Sequence, residues 1–306
     1  MSEKVAYCNG KWGSESSAAL ALDDWGLMQG AVVVDRLRTC NVKPLDKDLH
    51  VSRLIGSCNS IGIQAPEAAQ LTKLIDECVR KNAGAYAGLD FSVVVMVTPG
   101  RASHGPRGKV PTVIVHSTPL NWMALRSWYQ SGQALVIAKC RNVPPQVWSP
   151  QIKTRARLHY YLADCQAEQI SLPHAGAVLL SMDGSVTESS MANIIIVDKN
   201  QRLICPLEQE VLNGISLRRT LRLAEQAGFK VEFTSVRVDI AGVASELLLT
   251  GSSGCLWPAS RFGDIAFEAP AKRPVFAQLS ELWCRDISLN YVEQAEKACE
   301  SLKNVM

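Results

Sequence analysis

Lys153 stands where an extended stretch around Pro150 gives way to a helical pattern, in Ser149-Pro-Gln-Ile-Lys-Thr-Arg-Ala-Arg-Leu158. A lysine at a strand-to-helix junction points into whatever cleft lies beyond the strand. Partly buried, its neutral amine is a nucleophile suited to Schiff-base chemistry. Taken alone it is also what an ordinary solvated surface charge looks like. Glu188 is the second signal. It lies in Ser185–Val197, a returning strand that otherwise reads apolar or small and follows the Asp183-Gly184 turn. A lone carboxylate there is costly to desolvate unless a cation or hydrogen-bond donor meets it. Two further stretches, Val211-Leu-Asn-Gly-Ile-Ser216 and Leu249-Thr-Gly-Ser-Ser-Gly254, are small-residue turns beside regular elements. Turns of this kind present backbone amides and hydroxyls to an anion.

The elements that position these residues follow from periodicity and turn chemistry. Val5–Tyr7, Asn9-Gly10 and Lys11-Trp12 read as an opening hairpin. Gly30–Cys40 is a Val-rich strand leading to a helix with Asp46 as its expected N-cap, and residues 67–82 form a second amphipathic helix. Strands are expected at 91–98 and 112–116, with a polar connector at Ser117–Asn121. A second portion carries strands at 134–140, 175–182, 192–197 and 246–250 and helices at 154–169 and 217–227. Leu158, Tyr161, Leu162 and Cys165 recur at helical spacing, and about 273–302 reads as one long amphipathic helix. The domains are therefore expected at 1–118 and 119–306.

Composition narrows the function classes. A formal net charge of +3, spread along the chain, offers no nucleic-acid or polyanion surface. The ten cysteines contain no C-x-x-C pair and the five histidines show no metal spacing, so a reducing compartment is expected and no metal. No signal-peptide or membrane-span pattern is present, and a cytoplasmic location is the plain expectation. Gly100-Arg-Ala-Ser-His-Gly105-Pro-Arg-Gly108-Lys109 imitates a phosphate-binding loop, but Pro106 stands where that loop needs lysine.

Together the signals resemble the class IV aminotransferases, the fold-type-IV pyridoxal 5′-phosphate enzymes. That family includes branched-chain and D-amino-acid aminotransferases and 4-amino-4-deoxychorismate lyase. The resemblance is carried by Asp24-Trp-Gly26, Gly30, Leu37-Arg38, His50-x-x-Arg53-Leu54, Lys153, Gly184-x-Val-Thr-Glu188 with Asn193-Ile, Leu212-x-Gly-Ile-Ser216 and Thr250-Gly-Ser252, in the family's order. It implies an α+β fold of two domains, a small α/β N-terminal one and a larger mixed α/β C-terminal one, with the cofactor between them. Lys153 would attach the cofactor and later move a proton, and Glu188 would face the pyridine nitrogen. Arg53, Gly214, Ile215, Ser216, Gly251 and Ser252 would hold the phosphate end. Asn193 is expected to support the turn around Glu188.

The resemblance further implies a ping-pong exchange between an amino acid or amine and a 2-oxo acid, and a homodimer whose sites are completed by a neighbouring subunit's loop. The departures concern substrate. Gln29 replaces an aromatic pocket residue, Arg36 is an unusual charge beside the pocket, and, as the resemblance to D-amino-acid aminotransferases implies, Arg101, His104 or Arg107 could reach a substrate carboxylate. Leu158 stands where branched-chain enzymes place a tyrosine. Two other readings stay open: 4-amino-4-deoxychorismate lyase on the same scaffold, and a pyridoxal-phosphate-binding protein that does not turn over.

Overall fold

The computed structural model describes residues 3–303 and divides into two compact units. The first comprises the chain up to Leu120 together with Ile152–Arg157, and the second comprises Asn121–Gln151 and the chain from Leu158 onward.

The first unit is a six-stranded antiparallel sheet covered by helices. Its elements in order are β1 (Val5–Cys8), β2 (Lys11–Ser14), α1 (Trp25–Gln29), β3 (Val33–Cys40), β4 (Lys43–Pro44), α2 (Lys47–Ser60), α3 (Ala68–Asn82), β5 (Phe91–Thr98) and β6 (Thr112–Pro119). The strand order is β2-β1-β6-β5-β3-β4. Asn9 and Gly10 take positive φ at the first hairpin, as the expected two-residue turn requires. Alternation along the strands sends Val33, Leu37, Val93, Val95, Val97, Val113 and Val115 to one face. There they form one core with Val51, Leu54 and Cys58 of α2 and Leu71, Leu74, Ile75 and Cys78 of α3.

Asp24-Trp-Gly26 is an anchor for this unit. Asp24 is fully buried, caps α1 by accepting from the Gly26 amide, and accepts from the Thr112 hydroxyl. Gly26 has to be glycine because a Cβ would come within 2.5 Å of the Thr98 methyl.

The second unit continues with α4 (Trp122–Ser131), β7 (Gln133–Arg141), α5 (Leu158–Glu168), β8 (Gly176–Leu180), β9 (Val186–Ser189), β10 (Asn193–Val197), β11 (Leu203–Cys205), α6 (Ile215–Gln226), β12 (Val231–Phe233), α7 (Val238–Gly242), β13 (Glu246–Gly251), β14 (Cys255–Phe262), β15 (Ile265–Ala266), α8 (Pro274–Asp286) and α9 (Tyr291–Lys303). The sheet runs β12-β11-β10-β13-β14-β7-β8-β9, and β9 pairs back onto β10, so the central strands close on themselves. Closure leaves those strands without an open edge.

Several sequence expectations need correction. The helix expected at 154–169 begins only at Leu158, because residues 153–155 are held extended by pairing with β3. Ile152–Arg157, and Lys153 with them, therefore belong to the first unit and not to the second. The helix packs through Ala163 and Ala167 onto Ala138 and Ala177. This leaves Leu158, Tyr161 and Leu162 exposed at 69%, 65% and 45%. Asp46 lies at φ 54 and makes no side-chain cap for α2.

The single C-terminal helix is two. Ser288 takes φ 53, and Asn290 opens a new helix by accepting from the Glu293 amide. Strands β11, β12, β14 and β15 and helix α4 lay outside the sequence expectation; β11, β12 and β15 are only two or three residues long, too short to show a period.

Candidate active site

In the first unit the chain lays Lys153–Arg155 antiparallel along the free edge of β3. The Val34 amide donates to the Lys153 carbonyl at 2.9 Å, the Arg155 amide to the Val32 carbonyl at 2.8 Å, and Val33 pairs with Thr154. The Thr154 hydroxyl adds a bond to the Val32 carbonyl at 2.9 Å. On its other side the Lys153 amide donates to the Ser57 hydroxyl of α2 at 3.2 Å. Ser57 lies one helical turn beyond Arg53 on the same face. The structure thus brings Lys153 and Arg53 together through a single turn of α2.

Arg53 is held by a residue the sequence reading passed over. Asp35, fully buried on the core face of β3, takes Nε and Nη2 of Arg53 at 2.8 and 2.7 Å, leaving Nη1 outside the pair. Its Oδ1 also meets His50 Nδ1 at 2.7 Å. Burial pushes the Asp35 carboxyl up, but the Arg53 charge and then His50 outweigh it and hold it well below the usual carboxylate range. Burial pushes His50 down, with Asp35 opposing, so we assign it the neutral tautomer donating Nδ1–H to Asp35. The signal available in the sequence was Asp35 in an apolar strand, together with the His50-x-x-Arg53 spacing that puts both partners on one helix face.

The second unit holds Glu188, 7% exposed at the end of β9. Its carboxylate accepts from the Tyr160 hydroxyl at 2.7 Å, the Asn193 amide side chain at 3.2 Å and the Leu212 backbone amide at 3.3 Å. Asn193 also donates to the Leu212 carbonyl at 2.8 Å, so it supports the turn around Glu188. Tyr160, on α5, is a partner of Glu188 that no spacing in the sequence indicates.

Glu188, Asn193 and Thr250 sit side by side across β9, β10 and β13, which ties the carboxylate to the Thr250-Gly-Ser252 turn. Gly214 is the N-cap residue of α6 and has no side chain to cap it, so among the described residues no side-chain cap closes the start of that helix. A Cβ on Gly214 would come within 2.1 Å of Asn193 Oδ1, and one on Gly251 within 2.6 Å of the Met191 carbonyl. Thr220 joins the two turns, bonding the Ser216 carbonyl at 2.8 Å and meeting the Thr250 hydroxyl at 3.2 Å.

The expected substrate residues lie in the first unit, and the loop carrying Arg101 and His104 is bonded to the chain entering α1. Arg101 is engaged by Asp23 at 2.8 Å, and His104 and Gln29 are exposed on a loop and at the end of α1. Arg36 lies half-buried on β3. Among the described residues no His, Cys, Asp or Glu group could hold a metal ion.

Asp35→Asn should cost about 3–5 kcal/mol of stability at neutral pH, because it leaves a buried guanidinium without its charge partner. A carboxyl held below its ordinary value of about 3.9 stabilises the fold above that pH and loses the contribution below it. Urea unfolding should therefore show a gap that is full near pH 7 and closes below about pH 4. Equal stabilities at pH 7, or a gap that widens on acidification, would refute this.

The chain is also similar to known proteins. The chain is 27% identical to a putative branched-chain-amino-acid aminotransferase of Methanocaldococcus jannaschii, over 82% of this chain and 85% of the relative. It is 26% identical to a D-alanine aminotransferase of Bacillus licheniformis, over 84% and 87%. An aminotransferase from Brucella abortus bound to the co-factor PLP superposes with a TM-score of 0.80 at 18% identity, over 94% of this chain and 100% of that one. Residues 32–262 match the family described as Amino-transferase class IV, and the chain belongs to that family.

Proposed function

We propose that the protein exchanges an amino group between an amino acid and a 2-oxo acid, with pyridoxal 5′-phosphate as cofactor, in two half-reactions. The observation that carries this reading is Lys153 fixed by backbone pairing one helical turn from an arginine that Asp35 has already oriented. Family membership supports it, as does the cofactor named for the Brucella abortus aminotransferase. The named relatives are transaminases of different substrates, which favours amino-group exchange over the lyase alternative.

The residues fit the group. Lys153 would attach it. Arg53, the uncapped Ile215 and Ser216 amides, the Ser216 hydroxyl and the Gly251-Ser252 turn would hold its phosphate, since a guanidinium and open amides suit a dianion. Gly214 leaves room for Asn193, which with Tyr160 and Leu212 orients the Glu188 carboxylate, and that carboxylate would hold a proton at the pyridine nitrogen. Bound there, the cofactor supplies the electron sink for charge that develops at the substrate Cα. The Lys153 amine, once free, would carry the proton to and from that Cα.

Supplying an amino donor alone should convert the bound cofactor to pyridoxamine phosphate, read as loss of its long-wavelength absorbance. Release of pyruvate from 4-amino-4-deoxychorismate with no such conversion would overturn the assignment.

We also infer a homodimer. The family resemblance implies one, and Leu158, Tyr161 and Leu162 form an exposed apolar stripe on α5 of the kind that marks a contact surface. Sedimentation should give twice the chain mass, and a fully active monomer would contradict this.

A further inference from the structure

The six-stranded sheet of the first unit has one face packed on α2 and α3, and Lys153 projects to the other. Because Val33 pairs with Thr154 antiparallel, Lys153 stands opposite Val34 and Arg155 opposite Val32. Residues opposite one another share a face, and so do residues two apart on a strand. Lys153 and Val34 therefore project to the same face as Arg36, while Asp35 projects to the core face. Across the sheet Arg36 pairs with Val94 and Val94 with His116, so the arginine and the histidine flank one valine on that face. Thr118, two residues beyond His116, accepts from Arg36 Nη2.

The arginine is oriented but not neutralised. Its Nε is buried and meets no partner. Among the described residues no carboxylate pairs with it. Burial and then the Arg155 charge push its guanidinium below the ordinary value, with the Tyr86 phenol opposing. His116 is pushed down by burial and, in smaller part, by Arg155 and Arg36. The acid near it, Glu15, lies 3.8 Å from its Nδ1 and is engaged by Lys4. Arg38, next on this face, is fully buried with its Nε on the Thr39 carbonyl. A half-buried cation with a spare donor and cationic neighbours is unfavourable as a structural device, and an arriving anion would repair it.

We propose that Arg36, with Thr118 and His116 beside it, forms an anion subsite on the Lys153 face of the sheet and takes a carboxylate of the substrate. The proposal rests on the amino-transfer reading above and identifies the substrates as acids bound by a guanidinium. The carboxylate is either the one on the reacting carbon or one at the far end of a dicarboxylic substrate. Arg155 contributes positive potential, and the Thr118 hydroxyl fixes the guanidinium plane.

The test is calorimetric titration of the pyridoxal-phosphate-loaded protein with two unreactive carboxylates, propanoate and glutarate, in wild type, Arg36→Met and Arg36→Lys. Wild type should bind, and Arg36→Met should weaken binding about 10- to 100-fold, the ordinary cost of losing a charged hydrogen-bond partner. Arg36→Lys should fall in between. Loss of both ligands assigns the carboxylate on the reacting carbon, and loss of glutarate alone assigns the distal one. In donor kinetics the larger change should fall on KM and the smaller on kcat. The proposal is overturned if wild type binds neither carboxylate, if Arg36→Met binds them as wild type does, or if that variant instead loses its cofactor. Wild-type protein that binds carboxylates through Arg36 but never aminates its cofactor would overturn the transaminase reading and leave the subsite standing.

Discussion

The backbone pairing of Lys153–Arg155 with Val32–Val34 is the constraint on which the site depends. The chain leaves the second unit after Gln151, lays Ile152–Arg157 along β3, and returns at Leu158. Each of its hydrogen bonds is worth only about 1 kcal/mol net. They act together, however, with the Thr154 and Ser57 hydroxyls on either side. Their effect is on geometry. They set the face to which Lys153 projects and place its backbone against α2. A lysine on a free loop would have to be ordered in every catalytic cycle, whereas here the ordering cost is met when the protein folds.

Two neighbouring residues of β3 divide the electrostatics. Asp35 turns to the core, where its full burial would be costly were it not matched by Arg53 and His50. Arg36 turns the other way and has no such match. The strand's period of two residues thus separates an internally compensated charge from an uncompensated one. The compensated one holds Arg53, the proposed phosphate ligand, in place, and the uncompensated one is itself suited to a ligand. Glu188 follows the logic of Asp35. It accepts from α5, β10 and the turn before α6, so its orientation is determined by several elements at once.

Much of this was legible in the sequence. The hairpin at Asn9-Gly10, the Val-rich strands and α3 follow from local chemistry, and the family resemblance pointed to Lys153, Arg53, Glu188 and Ser216. What could not be read depends on pairing distant in sequence. Thr154 gave no local sign that it would join β3 and delay the start of α5. Leu158, Tyr161 and Leu162 have a helical period, but that period does not reveal that Ala163 and Ala167 would make the contact with the sheet. Tyr160 and Asp35 became visible only once their partners were brought to them. The break between α8 and α9 turns on one positive φ at Ser288, a conformation that serine seldom signals.

The central claim is that Lys153, placed by β3, is the residue that carries the cofactor. Borohydride reduction of the pyridoxal-phosphate-loaded protein, followed by peptide mapping, tests it most directly. The account predicts a phosphopyridoxyl group on the peptide containing Lys153 and on no other lysine. Label at a different lysine, with Lys153 unmodified, would contradict it.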